Sequence, residues 1–298
     1  LASGARPDFL DRLLDLALDE DLGASGDVTT RALIPADAIG KAELWAKEPM
    51  ILSGLGAFRR AFQRFDPAVK VTFVAKAGQH AGPKTLVARV EGRLRSLLIA
   101  ERTALNIVQR TCGIATLAHQ AATAVKTVKG TPLKVLDTRK TPPGMRGLAK
   151  RAVRDGGAHS HRFGLFDGVL IKDNHIAAVG GITEALRRAK ERAPRLLRIE
   201  IEVTSLAELA EALAEGADVV MLDNMPDEQI REAVKLTAGR AQLEVSGMVT
   251  LERLPRLAKL GVDYVSMGAL THSARAMDLS LEINPAAKPA RRKATSRR

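Results

Sequence analysis

Cysteine is nearly absent from this 298-residue chain: Cys112 stands alone, which excludes an internal disulfide and fits a reducing compartment. Aromatic residues are scarce at 3%, with one Trp and one Tyr, so few platforms exist on which nucleic-acid bases could stack. No apolar run approaches the roughly 18 to 20 residues of a membrane span. A basic-then-apolar leader pattern is also missing from the amino-terminal residues. The expected setting is the cytoplasm, with no membrane partner.

Acid is the charge in short supply. Lys and Arg number 46 against 34 Asp and Glu, a formal net charge of +12. Six of the cations, Lys288, Arg291, Arg292, Lys293, Arg297 and Arg298, stand in residues 284–298, where there is no acid. Residues 286–298 read as a disordered basic tail. What excess remains in the body suits anionic small molecules better than nucleic acid, which is not an expected partner.

Against these absences, one segment is dense in chemistry. Between Asp137 and Ile176 the cations come in bursts: Arg139-Lys140, His161-Arg162, and Lys172 ahead of Asp173-Asn174-His175. Two of the bursts follow short apolar runs, Leu133–Leu136 and Val169–Ile171. A solvated helix face would instead space its cations every three or four residues. Bursts at strand ends point to a pocket that holds polyanions.

The second half alternates strand and helix. Strands are expected at Leu133–Asp137, Gly168–Lys172, Leu197–Val203, Asp218–Asp223, Gln242–Ser246 and Asp263–Met267. Helices are expected at Thr183–Arg192, Ser205–Glu215, Asp227–Thr237 and Thr250–Leu260, with Ser205 and Thr250 as N-caps and Gly216 and Gly261 as stops. Such units build a parallel sheet. Ile199, Ile201 and Val203 alternate with Arg198, Glu200 and Glu202, so one face of that strand is charged. A sheet buried on both faces would not allow that, whereas the upper interior of a barrel would. Six clear strands imply an open, incomplete (β/α) barrel over residues 113–272.

Residues 1–112 lack this rhythm. Helices at Asp8–Asp19 and Ala57–Phe65, strands at Lys41–Ala46, Lys70–Ala75 and Thr85–Glu91, and a long apolar helix at Leu97–Cys112 indicate an α+β sandwich domain. Residues 273–285 are expected to return to it.

Barrel enzymes draw their working residues from the carboxyl ends of several strands. Here those ends carry Arg139 and Lys140, Lys172, Glu202, Asp223, Ser246-Gly247 and Gly268. Cations come first, carboxylates next, and small residues with free backbone N–H groups last. The set would grip an anionic ligand on one side and a phosphate on the other. The carboxylates between could bind sugar hydroxyls, hold a metal ion or stabilise a developing positive charge.

Together, Asp137-Thr-Arg-Lys-Thr, His161-Arg162, Lys172-Asp-Asn-His-Ile, Leu222-Asp-Asn and Gly268-Ala-Leu-Thr-His-Ser resemble quinolinate phosphoribosyltransferase. So do Glu20-Asp-Leu-Gly, Gly26-Asp-Val-Thr-Thr and Glu101-Arg-Thr-Ala-Leu-Asn, and all fall in family order from about residue 20 to 280. The resemblance implies decarboxylating phosphoribosyl transfer to quinolinate from phosphoribosyl pyrophosphate, with Mg2+, on the route to NAD. It also implies a homodimer with shared sites, with dimer and hexamer both open as the final assembly.

By the same resemblance Arg139, His161, Arg162 and Lys172 hold the quinolinate carboxylates, with Arg102 reaching in from a partner subunit. Lys140 contacts the pyrophosphate side of the donor. Glu202 and Asp223 take the ribose hydroxyls and the metal. Ser246, Gly247, Met248, Gly268 and Ala269, with His272, enclose the 5′-phosphate, and Met267 is a further substrate-binding residue. The catalytic set is Lys140, Lys172, Glu202 and Asp223. The chain departs from the family pattern at Pro142, Ala158, Ser160 and Met248, and the Met248 side chain would narrow the phosphate loop.

Three other readings compete. A related group associated with molybdenum transport shares Asp-Thr-Arg-Lys-Thr but lacks the intact Lys-Asp-Asn-His run. A barrel-based nucleic-acid binder would act through the tail, and an aldolase would use Lys172 as a Schiff base.

Overall fold

The computed structural model describes residues 9–285, so the basic tail expected over 286–298 lies outside the described residues. Two compact units divide the chain: Leu1–Cys112 with Ala276–Arg298, and Gly113–Arg275.

The first unit opens with α1 (Phe9–Leu22) and α2 (Val28–Leu33), then β1 (Ile39–Ala46), β2 (Met50–Ile51), α3 (Leu55–Phe65), β3 (Lys70–Phe73), β4 (His80–Ala81) and β5 (Thr85–Arg93). Apolar residues at helical spacing seat α3: Phe58 and Phe62 are fully buried with their rings edge to face at 5.2 Å. On the outer side the same four-residue spacing pairs Arg60 with Asp11 at 2.6 Å and Arg64 with Asp15 at 2.5 Å. Such exposed pairs fix the approach of α1 more than they stabilise it, at about 0.2–1 kcal/mol each.

Helix α4 (Leu94–Lys126) runs far past Cys112, where sequence patterning ends it. Residues 113–125 contain neither Pro nor a turn cluster, and are mostly small and aliphatic residues that propagate a helix, with Gly113 tolerated in its interior. The helix belongs to both units, up to Cys112 in one and from Gly113 in the other.

The second unit carries β6 (Lys134–Leu136), α5 (Arg146–Asp155), β7 (Val169–Ile171), α6 (Asp173–Val179), α7 (Ile182–Arg192), β8 (Ile199–Val203), α8 (Leu206–Ala214), β9 (Val219–Asp223), α9 (Asp227–Thr237), β10 (Gln242–Ser246), α10 (Leu254–Leu260), β11 (Tyr264–Ser266) and α11 (Ala269–His272). The six strands form one parallel sheet in the order β6-β11-β10-β9-β8-β7. Its end strands β6 and β7 are not neighbours, so the barrel is open as expected. The edge of β6 is covered by residues 158–160: His159 bridges to Leu136, and its amide donates to the Val135 carbonyl at 2.8 Å. Covering an exposed strand edge satisfies its ladder groups. Here it also delivers the next two residues, His161 and Arg162, to the end of β6.

Ser205 caps α8 as its sequence indicates, accepting from the Glu208 amide at 3.2 Å. Thr250 does not cap α10. That helix starts at Leu254 with Pro255 in its first turn, and residues 250–253 form a separate turn closed by the Arg253 amide on the Thr250 carbonyl. Proline has no N–H to donate and so favours the first helical turn.

Finally, β12 (Leu279–Pro285) joins the first unit, pairing antiparallel with β1 in a four-stranded sheet of order β12-β1-β5-β3. No helix among the described residues is long and apolar enough to cross a membrane.

Candidate active site

Asp137, the last residue of the β6 run, is completely buried, as is Lys150 of α5, and the two form an ion pair. Burial pushes the Asp137 carboxyl above its usual range, and Lys150 and the His161 amide only partly offset this. The pair clamps the next loop by its backbone. Asp137 Oδ1 accepts from the His161 amide at 2.9 Å, and Lys150 Nζ donates to the His161 carbonyl at 3.0 Å. Arg146, also on α5, donates to the carbonyls of Arg139 and Phe163 and to the Thr141 hydroxyl. The loops after β6 and α5 are thereby fastened to one helix.

Above this clamp lies a cavity of about 340 Å3, a size that suits a small molecule. Arg139, Lys140, His161, Arg162, Lys172 and Ser246 all line it, with Leu170 and Met221 as its apolar wall. Arg139 and Arg162 form no ion pair with a carboxylate among the described residues, and Arg139 Nε is buried without a hydrogen-bond partner. The Arg162 guanidinium is pulled below its usual range by burial and then by the charge of Arg139. Two desolvated cations that disfavour each other await an anion.

A broader depression of about 520 Å3 lies at the opposite ends of the strands, beside Asp218, Gln242 and Asp263. Its cations are engaged: Arg198 donates to Gln242 Oε1 at 2.6 Å, and Arg240 to the carbonyls of Leu236 and Thr237. The cavity at the carboxyl ends, where barrel enzymes work, is the one of the two that holds an unsatisfied guanidinium nitrogen, Arg139 Nε.

Lys172 and Glu202 meet in an ion pair at 2.5 Å, so two residues assigned to different substrates from the sequence share one contact. Asp223 lies at the end of β9 and accepts from Asn224 Nδ2 at 2.8 Å. His175 is a capping residue: its Nδ1 accepts from the Lys172 amide at 2.9 Å. Lys140 is exposed, with its carbonyl accepting from the buried Thr271 hydroxyl at 2.7 Å. A Cβ on Gly268 would stand 3.1 Å from Lys140 Cδ and 3.2 Å from His272 Nε2, so glycine lets those side chains close over the turn ahead of Ala269.

Two expected residues behave differently. Met267 is buried, its amide bonded to the Leu136 carbonyl and its own carbonyl taken by the Leu270 amide. It supports the turn from beneath and has no free polar group for a phosphate. His161 lines the cavity, but both ring nitrogens are engaged: Nδ1 accepts from the Arg162 amide at 2.7 Å and Nε2 donates to Glu200 at 2.9 Å. Arg102 is an exposed residue of α4 in the first unit.

The loop after β10 is tight. A Cβ on Gly247 would stand 2.0 Å from Asn224 Oδ1, and its φ of +88° suits glycine alone. Met248 follows with φ 45°, its side chain exposed. A left-handed conformation costs a non-glycine residue about 1–2 kcal/mol. Glycine's greater chain entropy takes back part of that gain, so Met248→Gly is expected to raise stability by about 0.5–1 kcal/mol, read as a higher urea midpoint at unchanged slope.

Four residues around the site are not among those the sequence singles out: Lys150, Thr271, Glu200 as a partner of His161, and Glu244. The available signal was a lone charge inside an apolar strand, Glu244 in Gln-Leu-Glu-Val-Ser, and a lysine on the apolar side of α5.

Comparison with known proteins agrees with this architecture. The family models for the N-terminal and C-terminal domains of quinolinate phosphoribosyl transferase match residues 27–112 and 114–282. A probable nicotinate-nucleotide pyrophosphorylase (carboxylating) of Bacillus subtilis is 40% identical over 92% of this chain and 93% of its own length. A chloroplastic nicotinate-nucleotide pyrophosphorylase of Arabidopsis thaliana is 40% identical over 92% of this chain and 83% of its own. Among solved structures, NadC from Streptococcus pyogenes superposes with a TM-score of 0.88 at 41% identity, covering 96% of this chain and all of that one. Two domain models, relatives at this identity and a shared two-unit fold have one reading: the chain belongs to the quinolinate phosphoribosyltransferase family.

Proposed function

We infer that this protein transfers the phosphoribosyl group of phosphoribosyl pyrophosphate to quinolinate, releasing pyrophosphate and carbon dioxide and forming nicotinate mononucleotide. The observation that carries the substrate reading is the Arg139–Arg162 pair, two partly buried guanidiniums in one cavity with no ion-paired carboxylate among the described residues. A dicarboxylate satisfies both, and forked guanidinium–carboxylate bonds fix the ring's orientation. Lys172 serves the same anion, and Lys140, exposed at the rim, faces the departing pyrophosphate. Ser246, Gly247, Met248, Gly268, Ala269 and His272 would surround the 5′-phosphate, with Met248 contributing its backbone N–H.

Glu202 and Asp223 stabilise positive character at ribose C1 as its bond to pyrophosphate breaks and the bond to the quinolinate nitrogen forms. Holding nitrogen and C1 in line supplies much of the acceleration, and no general base is required. The ring nitrogen is then cationic. The bond from C2 to its carboxylate breaks, its electron pair stays on C2, and a proton replaces the carbon dioxide lost. Two carboxylates at adjacent strand ends also fit Mg2+, a hard ion held by one or two carboxylates and by substrate oxygens. When bound there it would neutralise charge on the leaving pyrophosphate.

Arg102 is read as a partner subunit's contribution in a homodimer. Arg102→Ala and Arg139→Ala proteins are each expected to be inactive, while their mixture recovers activity in hybrid dimers. Verified mixed dimers without recovery would remove the shared site. A reducing setting such as the cytoplasm agrees with the single buried Cys112. The reaction itself is tested with quinolinate labelled in its C2 carboxylate. One labelled carbon dioxide per pyrophosphate is expected, and pyrophosphate without carbon dioxide would overturn the reading.

A further inference from the structure

Beneath the cavity floor two carboxylates share a buried space with His161. Glu200 of β8 and Glu244 of β10 are both buried, and one oxygen of each lies with a His161 ring nitrogen inside a sphere of contacts no wider than 4.8 Å. The other oxygen of each, Oε1, is buried without a hydrogen-bond partner. Two adjacent anions in such a place are untenable; either a cation joins them or one holds a proton.

The histidine decides between these. Its Nδ1 lone pair is taken by the Arg162 amide at 2.7 Å, so Nε2 must carry the ring proton, which it gives to Glu200 at 2.9 Å. A ring in that tautomer has no lone pair left for a metal ion. The carboxylates also pull the ring toward its charged form, against burial. Taking a second proton would break the bond from Arg162.

We propose that Glu244 is a positioning residue for the transfer: its carboxyl keeps a proton beside Glu200, leaving Glu200 to hold the His161 ring and, through it, the Arg162 turn under the cavity. The inference rests on the proposed function. The groups facing Glu244 are Glu200 from β8, His161 from the loop after α5 and the Ser266 hydroxyl from β11, with Lys150 of α5 behind His161. Burial first, and then the charge of Glu200, pushes the Glu244 carboxyl up to about 8. It therefore holds its proton at neutral pH and loses it as pH rises past that value, when the two carboxylates repel.

Steady-state kinetics of the full chain and of Glu244→Gln test this, because an amide donates to Glu200 at every pH. Quinolinate KM of the wild type is expected to rise about five- to tenfold from pH 7 to pH 9, with KM for phosphoribosyl pyrophosphate unchanged. In Glu244→Gln the quinolinate KM should lie within about threefold of wild type at pH 7 and stay flat to pH 9. A tenfold higher KM at pH 7, or a rise parallel to wild type, would overturn the proposal. So would zinc chloride alone raising the melting temperature of the wild type but not of Glu244→Gln, which would make the cluster a cation site. Wild-type turnover in the same assay keeps the functional reading separate from the fate of the inference.

Discussion

Lysine in place of Arg139 is expected to lower kcat/KM for quinolinate about 100-fold, while KM for phosphoribosyl pyrophosphate stays within about threefold. Lysine keeps the charge and loses the planar fork. At this site the fork matters because Arg139 is half-buried with Nε unsatisfied, and its neighbour Arg162 is already held by the Gly168 carbonyl at 3.1 Å. A point charge on a flexible stem cannot supply two parallel bonds to a carboxylate. Arg139→Ala should lose about 1,000-fold or more, since it leaves a substrate carboxylate in the cavity without its cation. Equal losses in both KM values, or none for lysine, would show that Arg139 serves charge alone.

Lys150→Met is expected to destabilise the protein by about 3–5 kcal/mol at pH 7, because the partner carboxylate of Asp137 is fully buried. For a chain of this size that is a fall of roughly 10 °C in melting temperature. The sign of the pH dependence separates this from loss of packing. Burial already raises the Asp137 carboxyl, and without Lys150 it rises further. A carboxyl that titrates higher folded than unfolded binds more protons folded, so falling pH stabilises the variant relative to wild type. Its deficit at pH 7 should narrow by pH 5. Adding Asp137→Asn, which keeps an acceptor for the His161 amide, should restore more than half of the loss. A deficit independent of pH and not rescued by asparagine would mean that Lys150 acts through its aliphatic stem.

The barrel strands are legible in the sequence because most are short apolar runs ended by a polar residue. Their arrangement as an open barrel is legible for a related reason: Glu200 and Glu202 alternate with Ile199, Ile201 and Val203, which a doubly covered sheet disfavours. The first unit is read less well, since α4 has no stop signal before Lys126 and an apolar helix continues until something ends it. Helices α5 and α6 escape notice for a different reason. Helix α5 is so rich in Lys and Arg that its apolar side is only Ala149, Ala152 and Val153, and α6 has seven residues and no buried side chain.

At the site, the residue types that must meet a ligand are visible as bursts of cations. The residues that hold them are not. Lys150 and Glu244 lie far in sequence from what they support, and a buried charge resembles a surface charge until its surroundings are known. Met267 and His161 show the converse. Their place in or beside a motif suggests contact with substrate, while the fold has already used the amide and carbonyl of Met267 and both ring nitrogens of His161. Of the two adjacent residues His161 and Arg162, it is Arg162 whose charge faces the cavity.

The measurement closest to the central claim is pyrophosphate release from phosphoribosyl pyrophosphate and Mg2+ with quinolinate or nicotinate as the acceptor. If Arg139, Arg162 and Lys172 hold two carboxylates, release should depend on quinolinate, with nicotinate at least about 1,000-fold poorer in kcat/KM. Turnover with nicotinate equal to or better than with quinolinate would contradict the dicarboxylate clamp.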